Sequence, residues 1–328
     1  MRAAVLTADR PRLEVAELDD LARRRRRVVV QVTACGICGS DLHVSGSVAP
    51  PGAVLGHEIA GVITAVGAGV DGWTLGEPVT ARPFFGCGRC DQCRRGRQDH
   101  CPQFRLAGLH AIGGFAELTV FDAGELFRLP AAVTGLEQAL VEPFAVARRA
   151  LRRGGLVAGD DVAVLGAGPI GLAAVAWARA LGARRVVVSD PVATRRQLAL
   201  ELGADEAVAP GDVEASAAGA SLVVECSGAP GVIDQALRLA AIEGRVAIVG
   251  ICLAPDTFLP WWGLHKELDV RFAMYYGRED FMETIDAFAA RRIEPGVIIT
   301  ETVDLDGLPA RFAELVADPD AGKVVVVP

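Results

Sequence analysis

The chain has 328 residues, 51% of them hydrophobic, with 37 glycines and a formal net charge of −8. That length and apolar content suit one large or two ordinary globular domains, and the acidic balance leaves no basic field for a nucleic-acid partner. No apolar run approaches the roughly 20 residues of a membrane helix, and MRAAVLTADRPRLEV reads as a first strand and turn, not a signal peptide, so a soluble, cytoplasmic protein is expected.

Next comes a basic run, Arg23 to Arg27, ahead of Val28-Val29-Val30; it reads as a solvated turn leading into a buried strand. Short β-like runs broken by glycine and proline then continue to about residue 145: VVVQVTA, EIAGVITAVGAGV, EPVTARP, FAELTVF and LFRLP. Their spacing predicts a twisted, mostly antiparallel, barrel-like domain.

Within it, Cys35 and Cys38 form a C-x2-C, followed by Ser40, Asp41 and His43, then Gly56-His57-Glu58, and later Val141-Glu142-Pro143. Cys35 and Cys38 have no matching second pair, since Cys226 and Cys252 stand at strand ends far along the chain. A mixed site of one thiolate, one imidazole and one or two carboxylates fits these residues, with a position left for water or substrate. A denser cluster, Cys87, Cys90, Cys93 and Cys101, reads C-x2-C-x2-C-x7-C. Four thiolates so spaced can close a tetrahedral zinc shell with no open position, which makes the site structural. An iron–sulfur cluster fits less well because the last spacing is x7 and not x3. Disulfides suit a small secreted domain, not this chain.

Near residue 146 the pattern changes. Apolar runs VAVLG (162–166), RVVVSD (185–190), LVVECSG (222–228), RVAIVG (245–250) and DVRFAMYY (269–276) alternate with helix-like stretches, as in a doubly wound α/β parallel sheet. The first run leads into Gly166-Ala167-Gly168-Pro169-Ile170-Gly171 and then a helix, the context in which G-x-G-x-x-G means dinucleotide binding. Gly166 allows the tight turn, Gly168 the approach of a pyrophosphate, and Gly171 close helix packing; the helix N-terminus attracts the phosphates. Asp190 ends the next strand and favours NAD over NADP through the ribose hydroxyls. Arg195 and Arg196 follow and could soften that bias. A helix-like stretch, REDFMETIDAFAARR, and short strands ending in KVVVVP close the chain. The expected division is 1–145 with 277–328 as one domain and 146–276 as the nucleotide domain.

CGICGSDLH, GHEIAGVITAVG, the four-cysteine lobe, GGFAEL, VEP and GAGPIG stand in the order found in the zinc-dependent medium-chain dehydrogenases. The chain resembles that family along its whole length, on its polyol branch of sorbitol, threonine and butanediol dehydrogenases. The resemblance implies a GroES-like catalytic domain beside a Rossmann domain with the active site in a cleft, two zinc ions, NAD, and a homodimer or homotetramer acting on a small alcohol or ketone. It implies Cys38, His57 and Glu58 as catalytic-zinc ligands, with Glu142 direct or water-mediated, and Cys87, Cys90, Cys93 and Cys101 as structural ligands. It leaves Cys35 as a buried thiol. Zinc would polarise the alcohol oxygen while the nicotinamide accepts hydride, and Ser40 and His43 would relay the proton through the nicotinamide ribose. One thiolate and one carboxylate neutralise Zn²⁺, so Glu58 and Glu142 are not expected to bind tightly together. Asp41 and Glu117 are expected to orient the site, and His110 is a weaker candidate for lining it. Two rivals remain: a zinc-free reductase of activated double bonds, opposed by the intact Cys38, His57 and Glu58, and a non-catalytic zinc- and NAD-binding sensor, opposed by Ser40 and His43.

Overall fold

The structure, a computed structural model, describes residues 1–19, 21, 27–318 and 321–328. In chain order its strands are β1 (Arg2–Leu6), β2 (Leu13–Glu17), β3 (Arg27–Gly36), β4 (Glu58–Val66), β5 (Pro78–Ala81), β6 (Phe84–Phe85), β7 (Arg105–Leu106), β8 (Leu118–Asp122), β9 (Leu126–Arg128), β10 (Asp161–Leu165), β11 (Arg185–Ser189), β12 (Glu206–Val208), β13 (Ala220–Glu225), β14 (Ala240–Ile248), β15 (Asp269–Phe272), β16 (Ile299–Val303) and β17 (Lys323–Val326). The chain divides into two compact units, Met1–Glu142 with Ile299–Pro328, and Pro143–Ile298.

The first unit is built on a sheet ordered β16-β17-β3-β4-β5-β9, with β8 also on β3; every pairing is antiparallel except β16 with β17. β3 is its organising strand. Its Val28, Val30 and Val32 are buried while Gln31 and Thr33 face outward, the alternation of a half-buried strand. The register sets Gly36, at the end of β3, opposite Glu58, at the start of β4. A Cβ at Gly36 would lie 1.8 Å from Glu58 Oε2, so only glycine admits that carboxylate. Phe85, Phe115, Phe121 and Phe312 fill the core. Of the basic run, residues 23–26 lie outside the described residues. Arg27 pairs with Asp122 at 3.2 Å.

The second unit holds a parallel sheet ordered β12-β11-β10-β13-β14-β15, in which β12 was not read from the sequence. The order runs outward from β10 in one direction and then from β13 in the other, so the topology switches between those two strands. Helix Pro169–Ala180 packs on the sheet with Gly171 to Ala178 buried, and Trp177 donates its Nε1–H to Phe144 O at 2.9 Å.

The expected return to the first unit at residue 277 is corrected: the return comes at Ile299. Helix Arg278–Ala289 stays with the second unit because both of its faces find partners there. Phe288 packs edge-on against Phe144 at 5.1 Å, and Arg152 reaches Glu279, Asp280 and Glu283 at 2.7–3.0 Å. The second unit also begins at Pro143, slightly before the expected 146. No helix among the described residues is long and apolar enough to cross a membrane.

Candidate active site

Cys87, Cys90, Cys93 and Cys101 place their four Sγ atoms within 4.8 Å of one another. Local geometry does this. Cys90 caps the short helix Asp91–Arg94 and its sulfur accepts from Cys93 N at 3.4 Å, while Cys87 N and Gln103 N both donate to Cys101 Sγ at 3.3 Å. The buried Asp99, held by Arg97 and His100, braces the return to Cys101. Backbone N–H groups of Arg89 and Cys90 bring Cys87 down to about 6, whereas burial pushes Cys93 up to about 12. All eight cysteines are free, and this all-sulfur set fits one tetrahedral ion with no position left open.

A second set gathers Cys38, His57 and Glu58, again with donor atoms within 4.8 Å of one another. The Gly36–Glu58 register brings them together, and one carboxylate sets two of them. Asp41, 2% exposed, sits three residues into helix Gly39–Ser45. Its Oδ2 accepts Cys38 N at 3.0 Å, and its Oδ1 meets His57 Nδ1 and Gly56 N, both at 3.2 Å. Nδ1 being so engaged, Nε2 is the nitrogen turned toward Ser40 and left for a metal. Burial opposes charge on both residues. Even so, His57 and the two N–H groups hold Asp41 below the usual carboxylate range, and Asp41 with Cys38 raises His57 well above the usual imidazole range.

Glu58 has a partner that the sequence did not disclose. Lys323, on β17, is 1% exposed and donates to Glu58 Oε1 at 2.6 Å and to Ile37 O at 2.8 Å. Burial works against its charge, but Glu58, Cys38 and Glu142 together raise its pKa. Glu58 Oε2 is buried with no hydrogen-bond partner. An orphaned carboxylate oxygen beside a thiolate and an imidazole is the arrangement a cation resolves, so the residues fit a metal. Glu142 is buried near enough to influence Lys323, but it is not among the clustered donors.

Ser40 Oγ lies 3.2 Å from Cys38 Sγ and 3.4 Å from His57 Nε2. His43 is exposed on the same helix, and no direct bond joins it to Ser40 among the described residues. Cys35 is a fully buried thiol, its pKa raised by burial and by Asp41 and Glu58. Glu117 Oε2 accepts Arg2 N at 2.8 Å. His110 is a turn residue whose Nδ1 accepts Leu106 N–H. Phe84 and Phe85 are buried in the core, and Trp261 stacks on His265.

In the second unit Gly166, at φ +96°, follows directly on β10, and a Cβ at Gly171 would lie 1.8 Å from Gly166 O. Gly168 caps helix Pro169–Ala180 and has open space where a Cβ would stand. Pro169 and Ile170 open that helix, and the N–H groups of a helix's first turn, unpaired within the helix, attract phosphate. Asp190 is 3% exposed and already braces the turn: Oδ2 accepts Ala167 N at 2.7 Å and Oδ1 accepts Val192 N at 2.8 Å. Arg196 donates to Asp190 O at 2.7 Å and to Pro191 O at 2.9 Å. Arg195 stands beside it on helix Ala193–Glu201.

The alcohol dehydrogenase GroES-like domain family matches residues 24–131 and the zinc-binding dehydrogenase family matches residues 169–290. A 2-dehydro-3-deoxy-L-galactonate 5-dehydrogenase of Pseudoalteromonas atlantica is 35% identical over 95% of this chain and 94% of its own. Two crystal structures cover the whole chain and 99% of their own. One, from Sinorhizobium meliloti, is classed provisionally as a zinc-binding dehydrogenase and bound to NADP (32% identity, TM-score 0.92); the other is an Escherichia coli alcohol dehydrogenase complexed with NADH (29% identity, TM-score 0.93). With a GroES-like unit carrying the two donor sets and a Rossmann-type unit carrying the glycine turn, this chain belongs to the zinc-dependent medium-chain alcohol dehydrogenases, on their polyol branch, and is a zinc-type alcohol oxidoreductase.

Proposed function

We propose that the protein oxidises secondary alcohols carrying a neighbouring oxygen (polyols, vicinal diols or cyclitols) with NAD, using one catalytic and one structural zinc per chain. The observation that carries this reading is the Cys38–His57–Glu58 set with an unpartnered Glu58 oxygen. Zinc bound there supplies a Lewis acid toward the substrate oxygen, and NAD supplies the hydride acceptor. Asp41 fixes His57 and Cys38 as a rigid pair. Ser40 Oγ, the hydroxyl nearest both ligand atoms, holds the proton that the substrate hydroxyl exchanges. His43, exposed three residues later, passes it to solvent. Glu58 holds the metal through Oε2 while Lys323 shares its charge at Oε1, and Glu142, outside the ligand set, accepts from the second substrate hydroxyl.

A relative that acts on a polyhydroxylated acid supports this substrate class. Asp190 supports NAD, while one structural neighbour carries NADP and another NADH. A cytoplasmic homo-oligomer completes the proposal. Edge strand β15, exposed at all four residues with Val270 and Phe272 outward, supports the association.

The deciding experiment compares kcat/KM for a vicinal diol with that for the matching simple secondary alcohol, using NAD. A site that pairs a substrate hydroxyl favours the diol by up to ~10⁴-fold. Equal values, or faster turnover of primary alcohols, would refute the diol assignment.

A further inference from the structure

Glu225 ends β13 at the topological switch of the parallel sheet and is 1% exposed. Its Oε1 accepts three donors from the loop that follows: Ser227 N and Ser227 Oγ, both at 2.7 Å, and Gly228 N at 2.8 Å. Its main-chain oxygen accepts Val249 N and Gly250 N at 2.9 and 3.0 Å, from the loop that follows β14. One residue therefore ties both loops at the carboxyl ends of β13 and β14. The loops are also fitted to each other, since a Cβ at Gly250 would lie 2.2 Å from Gly228 N and 2.5 Å from Glu225 Oε2. The 226–228 loop lies against the glycine turn as well: a Cβ at Gly166 would lie 2.9 Å from Ser227 N.

Open α/β sheets bind dinucleotides across the switch, one half on each side. Asp190 at the end of β11 marks the adenosine side, and the helix after Gly166 receives the pyrophosphate. The remaining half falls on the side walled by the two loops that Glu225 ties. We propose that Glu225 is a positioning residue for the nicotinamide half of the cofactor, acting through the 226–228 and 249–250 backbone without touching the ligand. A loop whose Ser227 is exposed and whose N–H groups lie outside the sheet ladder keeps one shape only while an acceptor holds those N–H groups. The buried carboxylate is that acceptor. This inference rests on the nucleotide reading given above.

The test measures dissociation constants of NADH and of ADP-ribose, which lacks nicotinamide, for the full-length enzyme and for Glu225→Ala and Glu225→Gln. Losing three hydrogen bonds to a charged acceptor is expected to weaken NADH about 10- to 100-fold in Glu225→Ala, while ADP-ribose changes less than about 3-fold on the same scale. Hydrogen exchange at Ser227 and Gly228 should accelerate in step. Glu225→Gln, which keeps volume and one acceptor oxygen, should restore most of the NADH affinity, and it supplies the test if the alanine variant does not fold. Equal losses for the two ligands, or faster exchange with unchanged NADH affinity, would overturn the positioning role. A wild-type enzyme that binds neither ligand would instead refute the nucleotide reading itself.

Discussion

Replacing Lys323 by methionine keeps the length and apolar stem of the side chain but removes the ammonium that lies 2.6 Å from Glu58 Oε1 and 2.8 Å from Ile37 O. Glu58 is 0% exposed, so water cannot take the place of the lost donor. Removing one member of a buried ion pair costs about 3–5 kcal/mol, because the other charge is left uncompensated. In Glu58→Gln/Lys323→Met that charge is gone as well, and most of the loss should return, giving a coupling of about 2–3 kcal/mol between the two sites. A chain of two units is poorly served by a single global transition. The assay is therefore native-state hydrogen exchange at the β17 amides of metal-stripped protein, which reports opening of that unit alone. Zinc should shrink the penalty, since a cation at the unpartnered Oε2 compensates the same carboxylate. A loss below about 1 kcal/mol in metal-stripped Lys323→Met, or strict additivity in the double variant, would refute the reasoning.

Two further outcomes are expected. Brief chelation should remove the metal of the open Cys38–His57–Glu58 set first and abolish turnover while the closed four-cysteine ion remains. Elemental analysis before and after treatment checks this, with Cys87→Ser expected to lose one equivalent even in untreated protein. Asp190→Ala should weaken NAD and NADP together as well as narrow the gap between them, because it also frees Ala167 N and Val192 N beside the glycine turn. Binding titrations with both cofactors measure this, and a gain in NADP affinity with unchanged NAD affinity would contradict it.

What the sequence disclosed and what it withheld divide along sequence distance. The four-cysteine lobe was legible because its four cysteines lie within one short segment and their spacing encodes the geometry. The glycine turn was legible because a strand and a helix flank it within a few residues. Asp41 could be read as an orienting group because it stands three residues after Cys38 on the same helical turn. The choice between Glu58 and Glu142 was not legible, since it depends on the register of β3 against β4. Lys323 was hidden for the same reason: KVVVV reads as an ordinary strand with a leading lysine, and nothing local says that β17 pairs with β3 at Cys35 and Gly36. The return point at Ile299 was missed because the amphipathic pattern of Arg278–Ala289 shows that the helix is half-buried but not which core receives it. Glu225 gave no signal beyond a polar residue at the end of an apolar run.

The pairing of Lys323 with Glu58 also has a consequence for synthesis. The lysine is made 265 residues after the glutamate, and between them the ribosome produces the whole of the second unit. At about 5–20 residues per second this interval lasts roughly 13–53 s. For most of it Cys38, His57 and Glu58 are outside the tunnel, while β17, which would close their strand and neutralise the carboxylate, does not yet exist. The nascent site is more anionic than the finished one, and so more attractive to a divalent cation. Early metal capture followed by late arrival of the lysine would load zinc before the buried pair forms.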